Sequence, residues 1–169
     1  MEFQATLESP LGKLGIRTNE TQLLRVDFLQ TNAPLIKPAT YIAKETVVQL
    51  QCYFADPLYK FKLSVLLSGT AFQKKVWSEL SKIPVGQTFS YGEIATKLKS
   101  SAQAVGNACR VNPLPIVIPC HRIVAHDGLG GYSGDTSGEK IDYKKWLLSH
   151  EAHAKIKHAE EQKVAEVLF

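Results

Sequence analysis

The chain has no apolar run approaching the roughly 18 residues that a membrane-spanning helix needs, although 44% of its 169 residues are hydrophobic. Its opening, MEFQATLESP, has no basic n-region and no apolar h-region, so no signal peptide is expected. Cysteine is scarce. Three residues, an odd number without close pairing, argue against a disulfide framework and fit a reducing compartment, so a cytoplasmic location is expected. No Cys-x-x-Cys or His-x-x-x-His spacing offers a metal site. Internal repeats and low-complexity tracts are missing as well. The length suits one good core, or a small domain joined to a larger one.

Acidic residues are rare in one segment only. Residues 71–125 hold Lys74, Lys75, Lys82, Lys97, Lys99, Arg110 and Arg122 against Glu79 and Glu93, whereas the flanking segments are near balance or net acidic. Such a cluster attracts an anionic partner, nucleic acid most commonly, or else forms a solvated basic face.

The first third reads as strands. EFQATLE, KLGIRT and LLRVDFL are short, partly alternating and separated by the turn segments SPLG and NET. Ala43, Val47, Leu50 and Phe54 then share one face of a helix that Pro57 stops. This predicts a small α+β unit over 1–68, an antiparallel sheet with one helix, in which ADPLYKFKLSVLLSG is a connector with an apolar patch.

Residues 69–169 read as mainly helical. TAFQ at 70–73 is a capping box opening a helix with Phe72, Val76 and Leu80 on one face. Tyr91, Ile94, Ala95 and Leu98 mark a second helix, and AQAVGNACR a third after the polar turn KSS, together a helix-turn-helix. That pattern reads DNA or simply packs. In the third helix Val105, Ala108 and Cys109 can face inward, and Gln103, Gly106, Asn107 and Arg110 outward. Its outer side is small at Ala102, Ala104 and Gly106, which suits close approach to a narrow surface better than reading a deep groove. TSGE at 136–139 is a second capping box, opening a helix with Tyr143, Trp146, Leu147 and His150 on one face and an end near Glu151; the charged, Ala-rich tail is expected to be a surface helix or partly frayed.

The least ordinary stretch is NPLPIVIPCHRIVAHDGLGGYSG, residues 112–134. An apolar run that reads as a stiff strand ends at Pro119, delivers Cys120 with His121 beside it, and is followed by a glycine-rich loop. Cys120 is either a buried inert thiol or a nucleophile. A nucleophilic thiol needs a base, because its ordinary pKa of about 8.5 leaves it protonated at neutral pH. Neighbouring side chains of a strand point to opposite faces, so His121 can serve only if the chain turns at Cys120 or a water bridges the two. Glu151 is a candidate to orient the imidazole. Cys52 and Cys109 lie in or beside apolar helical stripes and read as core.

IPCHRIV, preceded by NPLP and followed by GGYSG, resembles the active-site signature of the O6-alkylguanine-DNA alkyltransferases, the methylated-DNA–protein-cysteine methyltransferases. The resemblance runs from about Phe72 to Glu151, and SPLG near the start is also typical of that family. It implies a ribonuclease-H-like N-terminal domain and a winged-helix-like, DNA-binding C-terminal domain. It also implies flipping of O6-alkylguanine, with O4-methylthymine a further substrate, and irreversible transfer of the alkyl group to Cys120. His121 is then the base through a water, Glu151 its orienting carboxylate, and Tyr91 the proton donor to the leaving guanine. Asn112 ties the recognition helix to the active-site turn. Ile123 and Cys120 offer backbone carbonyls to the base, Tyr132 and Ser133 close over it, and Ala102, Gln103, Gly106 and Arg110 meet DNA, with Lys97 and Lys99 further phosphate contacts. No cofactor is implied, and a monomer is expected.

Three departures stand out. Gln103 occupies the position where relatives commonly carry an arginine that fills the gap left by the flipped base. The loop after Tyr132-Ser133, GDTSGEKID, is longer than the family pattern. The N-terminal part lacks the Cys and His ligands of some relatives' structural zinc site, so no zinc is expected. Two other functions stay open: a lesion sensor that binds without transfer, and an unrelated cysteine hydrolase using Cys120 and His121.

Overall fold

The computed structural model describes residues 2–168, without the side chains of Lys155, Lys157 and His158. Three strands, β1 (Ala5–Ser9), β2 (Gly12–Thr18) and β3 (Leu23–Leu29), form an antiparallel sheet in the order β1-β2-β3. Alternation buries Ala5, Leu7, Leu14, Ile16 and Val26. Helix α1 (Tyr41–Ala55) covers the sheet with Ala43, Leu50 and Tyr53. Thr40 caps its start by accepting the Ala43 N–H, and it ends at Ala55, with extended Asp56 between it and Pro57.

The connector does more than link. Leu23 of β3 exchanges backbone bonds with Ser64 and Leu66, so residues around Val65 run as a short parallel partner beside β3. Further along the same strand, the Val26 N–H donates to the Pro113 carbonyl at 3.0 Å. The sheet thus grips the segment that leads to Cys120.

Helix α2 (Ala71–Ser81) opens with both bonds of the Thr70–Gln73 capping box. Its Trp77 is buried and donates to the Ala108 carbonyl at 2.9 Å, fixing α2 against the helix-turn-helix. That unit is α3 (Tyr91–Leu98) and α4 (Ala102–Arg110). Lys99, in the left-handed region, ends α3, and Ser101 caps α4. Val105, Ala108 and Cys109 are buried, as the spacing predicts. Gln103, Asn107 and Arg110 are exposed, but Gly106 is half-buried, 3.8 Å from the Tyr91 ring when a Cβ is added.

Three readings need correction. The run 112–119 is not a strand. Pro113, Pro115 and Pro119 have no N–H to give a ladder, and the chain folds back on itself, with Ile118 N–H donating to the Leu114 carbonyl. Ile116 sits at φ 76°, a strained conformation for a β-branched residue. The second capping box does not open the last helix. That helix, α5 (Glu139–Leu168), starts two residues later than a Thr136 cap requires, and Gly138 offers the first carbonyl to Ile141. Nor does α5 end near Glu151: it runs on to Leu168. Its described side chains beyond Ala154 are exposed, as a surface helix requires. Phe169 and the side chains of Lys155, Lys157 and His158 lie outside the described residues.

One buried core links the sheet, α1, α2, α3, α4 and Leu147 of α5. No helix among the described residues is long and apolar enough to cross a membrane.

Candidate active site

The chain does turn at Cys120. Residues Cys120–Arg122 make one turn of 3-10 helix, after which Ile123–Val124 (β5) pairs in parallel with Phe89–Ser90 (β4) just ahead of α3. This two-residue sheet, which the sequence pattern does not disclose, sets the thiol beside Tyr91, the first residue of α3. Asn112, just past the end of α4, accepts from Leu114 N–H and donates to the Ile118 carbonyl at 2.9 Å.

Cys120 forms part of the wall of a cavity of about 200 Å³. Tyr91, Gly106, Cys109, Arg110, Gly131, Tyr132, Ser133 and the loop residues Gly134–Thr136 line the rest. The volume is below the roughly 300–1,000 Å³ of ordinary ligand pockets, so it suits one flat ring system rather than an extended ligand. Tyr132 and Asp135 exchange two backbone bonds around Ser133 and Gly134, both at positive φ, a tight turn that forms the cavity rim. At Gly130 (φ 75°) a Cβ would lie 3.1 Å from the Tyr91 ring, so only glycine lets this loop close over the phenol.

Behind the thiol lies a buried ionic cluster. His121 Nε2 is 2.5 Å from Glu151 Oε1. Arg122 donates Nε and Nη2 to the same carboxylate and Nη1 to the Ile83 carbonyl. Tyr53, from α1, donates its hydroxyl to Glu151 at 3.1 Å. Burial would raise the Glu151 carboxyl, but the His121 hydrogen bond, and then the hydrogen bonds and charge of Arg122, hold it at about 2. The ionised carboxylate only accepts, so His121 carries its proton on Nε2 and leaves Nδ1 as an acceptor. Burial lowers the His121 pKa, against the pull of Glu151 and with the push of Arg122 and Lys144, which leaves a neutral imidazole. Burial raises the Cys120 thiol to about 11, while Asn112 and Lys144 pull it down. The resting nucleophile is therefore a thiol that needs a base.

The geometry brings Tyr91, Gly106, Arg110, Cys120, Tyr132 and Ser133 to one cavity and stacks His121 and Glu151 behind it. Ala102 and Gln103 lie exposed on α4, outside the cavity lining, with Lys97 and Lys99 exposed on and after α3. Ile123 is buried in β5, and its side chain is not part of the cavity wall.

Sequence reasoning missed three residues. Arg122 lay inside the signature, unassigned. Tyr53 lay on the inward face of α1. Lys144 is buried and gives its ammonium to the Leu129 and Gly131 carbonyls at 2.7 and 2.9 Å. Lys144, Leu147 and Glu151 fall at i, i+3 and i+7, so two charged residues on a buried stripe were the available signal. Burial lowers the Lys144 pKa to about 8, against the pull of Cys120 and Cys109. Lys144→Met keeps the length and removes the donors, which leaves two carbonyls unpaired at about 1–3 kcal/mol in all. Faster hydrogen exchange at residues 129–132 and roughly tenfold slower alkyl transfer are expected; unchanged exchange there would show that the lysine does not hold the loop.

Residues 71–153 match the family model described as "6-O-methylguanine DNA methyltransferase, DNA binding domain". A methylated-DNA–protein-cysteine methyltransferase of Methanosarcina barkeri is 40% identical over 153 residues, 86% of this chain and 94% of the relative. The chain belongs to this family. The O6-methylguanine methyltransferase of Mycobacterium tuberculosis superposes with a TM-score of 0.76 at 35% identity, over 88% of this chain and 92% of that one. The same protein in complex with DNA superposes with a TM-score of 0.75 at 36% identity, with the same coverage. The α+β architecture agrees with these relatives. Among the described residues, no group of three or more His, Cys, Asp or Glu side chains could hold a metal ion.

Proposed function

We propose that the chain repairs DNA by direct reversal: it takes an O6-alkylguanine, or an O4-methylthymine, out of the duplex and moves the alkyl group once and irreversibly to Cys120. One observation carries the reading. A buried thiol opens into a small cavity rimmed by a tight turn, with a neutral imidazole held behind it by an ionised carboxylate. The cavity lies beside α4, which exposes Ala102, Gln103, Asn107 and Arg110 and whose neighbourhood is basic. A base reaches such a pocket only after leaving the stack, at a cost of a few kcal/mol.

In this reading Cys120 is the nucleophile and His121 takes its proton. Glu151, with Arg122 and Tyr53, fixes the imidazole. The Tyr91 phenol, which burial pushes up to about 12, stays protonated to donate to the departing guanine. Asn112 positions the sulfur. Ser133 bonds the base at the rim with Tyr132 behind it, and the Cys120 and Ile123 carbonyls accept its amino group. Ala102, Gln103, Gly106 and Arg110 meet the duplex in the minor groove, with Lys97 and Lys99 on phosphates. A ribonuclease-H-like unit over 1–68, a winged-helix-like unit over 69–169, a monomeric state and a cytoplasmic setting complete the proposal. It calls on no cofactor.

The test is the intact mass of the protein after mixing with a duplex carrying one O6-methylguanine. One methyl per molecule, mapped to the Cys120 peptide and complete within one equivalent of duplex, is expected. Binding with no mass change would turn the reading to a lesion sensor, and turnover of an ester substrate to a hydrolase. Gln103 bears on affinity. Glutamine can occupy the space left by a flipped base but cannot stack as a guanidinium does. Gln103→Arg is therefore expected to bind the lesion duplex several-fold more tightly in a fluorescence titration; equal affinity would show that α4 needs no such plug here.

A further inference from the structure

A second cavity lies between the connector and the segment that leads to Cys120, and it shares no lining residue with the active-site cavity. Its volume is about 730 Å³, against about 200 Å³ at the thiol. That falls within the roughly 300–1,000 Å³ of ordinary small-molecule sites. Along the connector every second side chain faces it. Phe61, Leu63, Val65 and Leu67 are half-buried on its wall, while Lys62, Ser64 and Leu66 between them are exposed. The fold-back at 114–119 supplies Leu114, Ile116 and Ile118, all buried. Both walls hang from β3: Leu23 bonds Ser64 and Leu66, and the Val26 N–H bonds the Pro113 carbonyl. Their spacing is set by that strand, so the cleft is preformed.

The charged groups of this apolar cleft are of one sign. Lys60, Lys82 and Arg122 line it, and no carboxylate does. Lys82 is paired with Glu79 and Arg122 with Glu151, two acids that are not on the wall. Lys60 is exposed and has no ion pair among the described residues. Arg122 is 11% exposed. A guanidinium carries five N–H groups. Here Nε and one Nη2–H go to Glu151 and one Nη1–H to the Ile83 carbonyl, which leaves one N–H on each Nη. A nearly buried cation with N–H groups to spare on an apolar wall calls for an acceptor, best of all an anionic one.

We propose that this cleft is a binding site for a free carboxylate amphiphile of medium-chain fatty-acid size, with its hydrocarbon body along Leu63, Val65 and Ile116 and its carboxylate on Arg122, in the field of Lys60 and Lys82. Size and sign select the class. A small inorganic anion would leave the hydrocarbon wall wet. A cationic amphiphile would meet three like charges. A neutral one would leave the spare N–H groups of Arg122 without a charged acceptor. The site takes no part in the alkyl-transfer reading and stands or falls independently of it.

The experiment titrates the full chain calorimetrically with dodecanoate and, separately, with dodecylammonium, both below their micellar concentrations. Two variants accompany the wild type. Val117→Trp fills the cleft from a half-buried wall position, and Lys60→Glu reverses an exposed charge that no fold contact uses. Thermal melts confirm that both are folded. One dodecanoate per chain is expected to bind saturably to the wild type, more weakly as salt is added, and dodecylammonium is expected not to bind. Lys60→Glu should weaken dodecanoate by about fivefold, the size of an exposed charge reversal, and Val117→Trp should abolish binding. No saturable uptake by the wild type would overturn the proposal. Equal binding of the two amphiphiles would do so too, since the cleft would then be an unselective apolar surface. Unchanged dodecanoate affinity in either folded variant would place the ligand elsewhere. A wild type that is dimeric in solution and becomes monomeric in Val117→Trp would show that a second copy covers the cleft, and the proposal would fall.

Discussion

Cys120→Ser is expected to bind a duplex carrying O6-methylguanine and to take up no methyl group on any time scale of the assay. The substitution changes one buried atom, in a side chain 5% exposed, and serine is close to cysteine in size and shape. Stability should therefore change by no more than about 1 kcal/mol. The chemistry fails for a different reason. A serine hydroxyl is a weak nucleophile at its free pKa, and toward the saturated carbon of an alkyl group oxygen is a far poorer nucleophile than a thiolate sulfur. The experiment also separates the two thiols that line the cavity. Burial, and then Cys120, push Cys109 up to about 12, above the about 11 of Cys120. Cys109 has no imidazole behind it, and its place on the buried face of α4 is that of a core residue. Any methyl found on Cys109 in the serine variant, or in the wild type, would mean that the cavity rather than the Cys120–His121 pair selects the acceptor.

The contrast between these thiols shows what the sequence could and could not disclose. Periodicity placed β1, β2, β3 and α1 to α4 because each has a clean face and a capping or turn residue at its ends. The signature around Cys120 supplied the thiol and its base. The way the chain presents them was misread. Three prolines in an apolar run look like a strand end, but their missing N–H groups fold the run back, and a strained Ile116 delivers the sulfur into a turn. Long-range partners were invisible for a simpler reason. Tyr53 and Arg122 meet at Glu151 only because α1 and α5 pack together, and no local pattern encodes a contact 98 residues apart. Lys144 could have been suspected, since a lysine on the Leu147 face of an amphipathic helix must either snorkel or find carbonyls. The long loop at 134–138 proved to be cavity rim, with Asp135 and Thr136 in its wall. The extended α5 beyond Glu151 had no apolar periodicity strong enough to announce itself.

Glu151→Gln is expected to damage the protein twice, in stability and in rate, and the two losses can be read apart. The carboxylate accepts from Tyr53, His121 and Arg122. Arg122 is 11% exposed and has one carbonyl besides Glu151. Removing the negative charge leaves a buried guanidinium uncompensated, a change that costs about 3–5 kcal/mol. Removing both partners costs less: Arg122→Met with Glu151→Gln should recover part of the loss, and a double-mutant cycle on melting would measure it. The rate will not recover, because His121 loses the carboxylate that fixes its proton on Nε2. The pH dependence supplies an independent check. The folded pKa of Glu151, about 2, lies below its ordinary 4.5. The stabilisation is therefore complete above about 4.5 and is lost as pH falls from there toward 2. It amounts to about 3 kcal/mol. Wild type should lose stability steeply over that interval, and Glu151→Gln should show a shallower acid limb. Parallel limbs would place the acid sensitivity in other carboxylates and leave Glu151 as a local orienting group only.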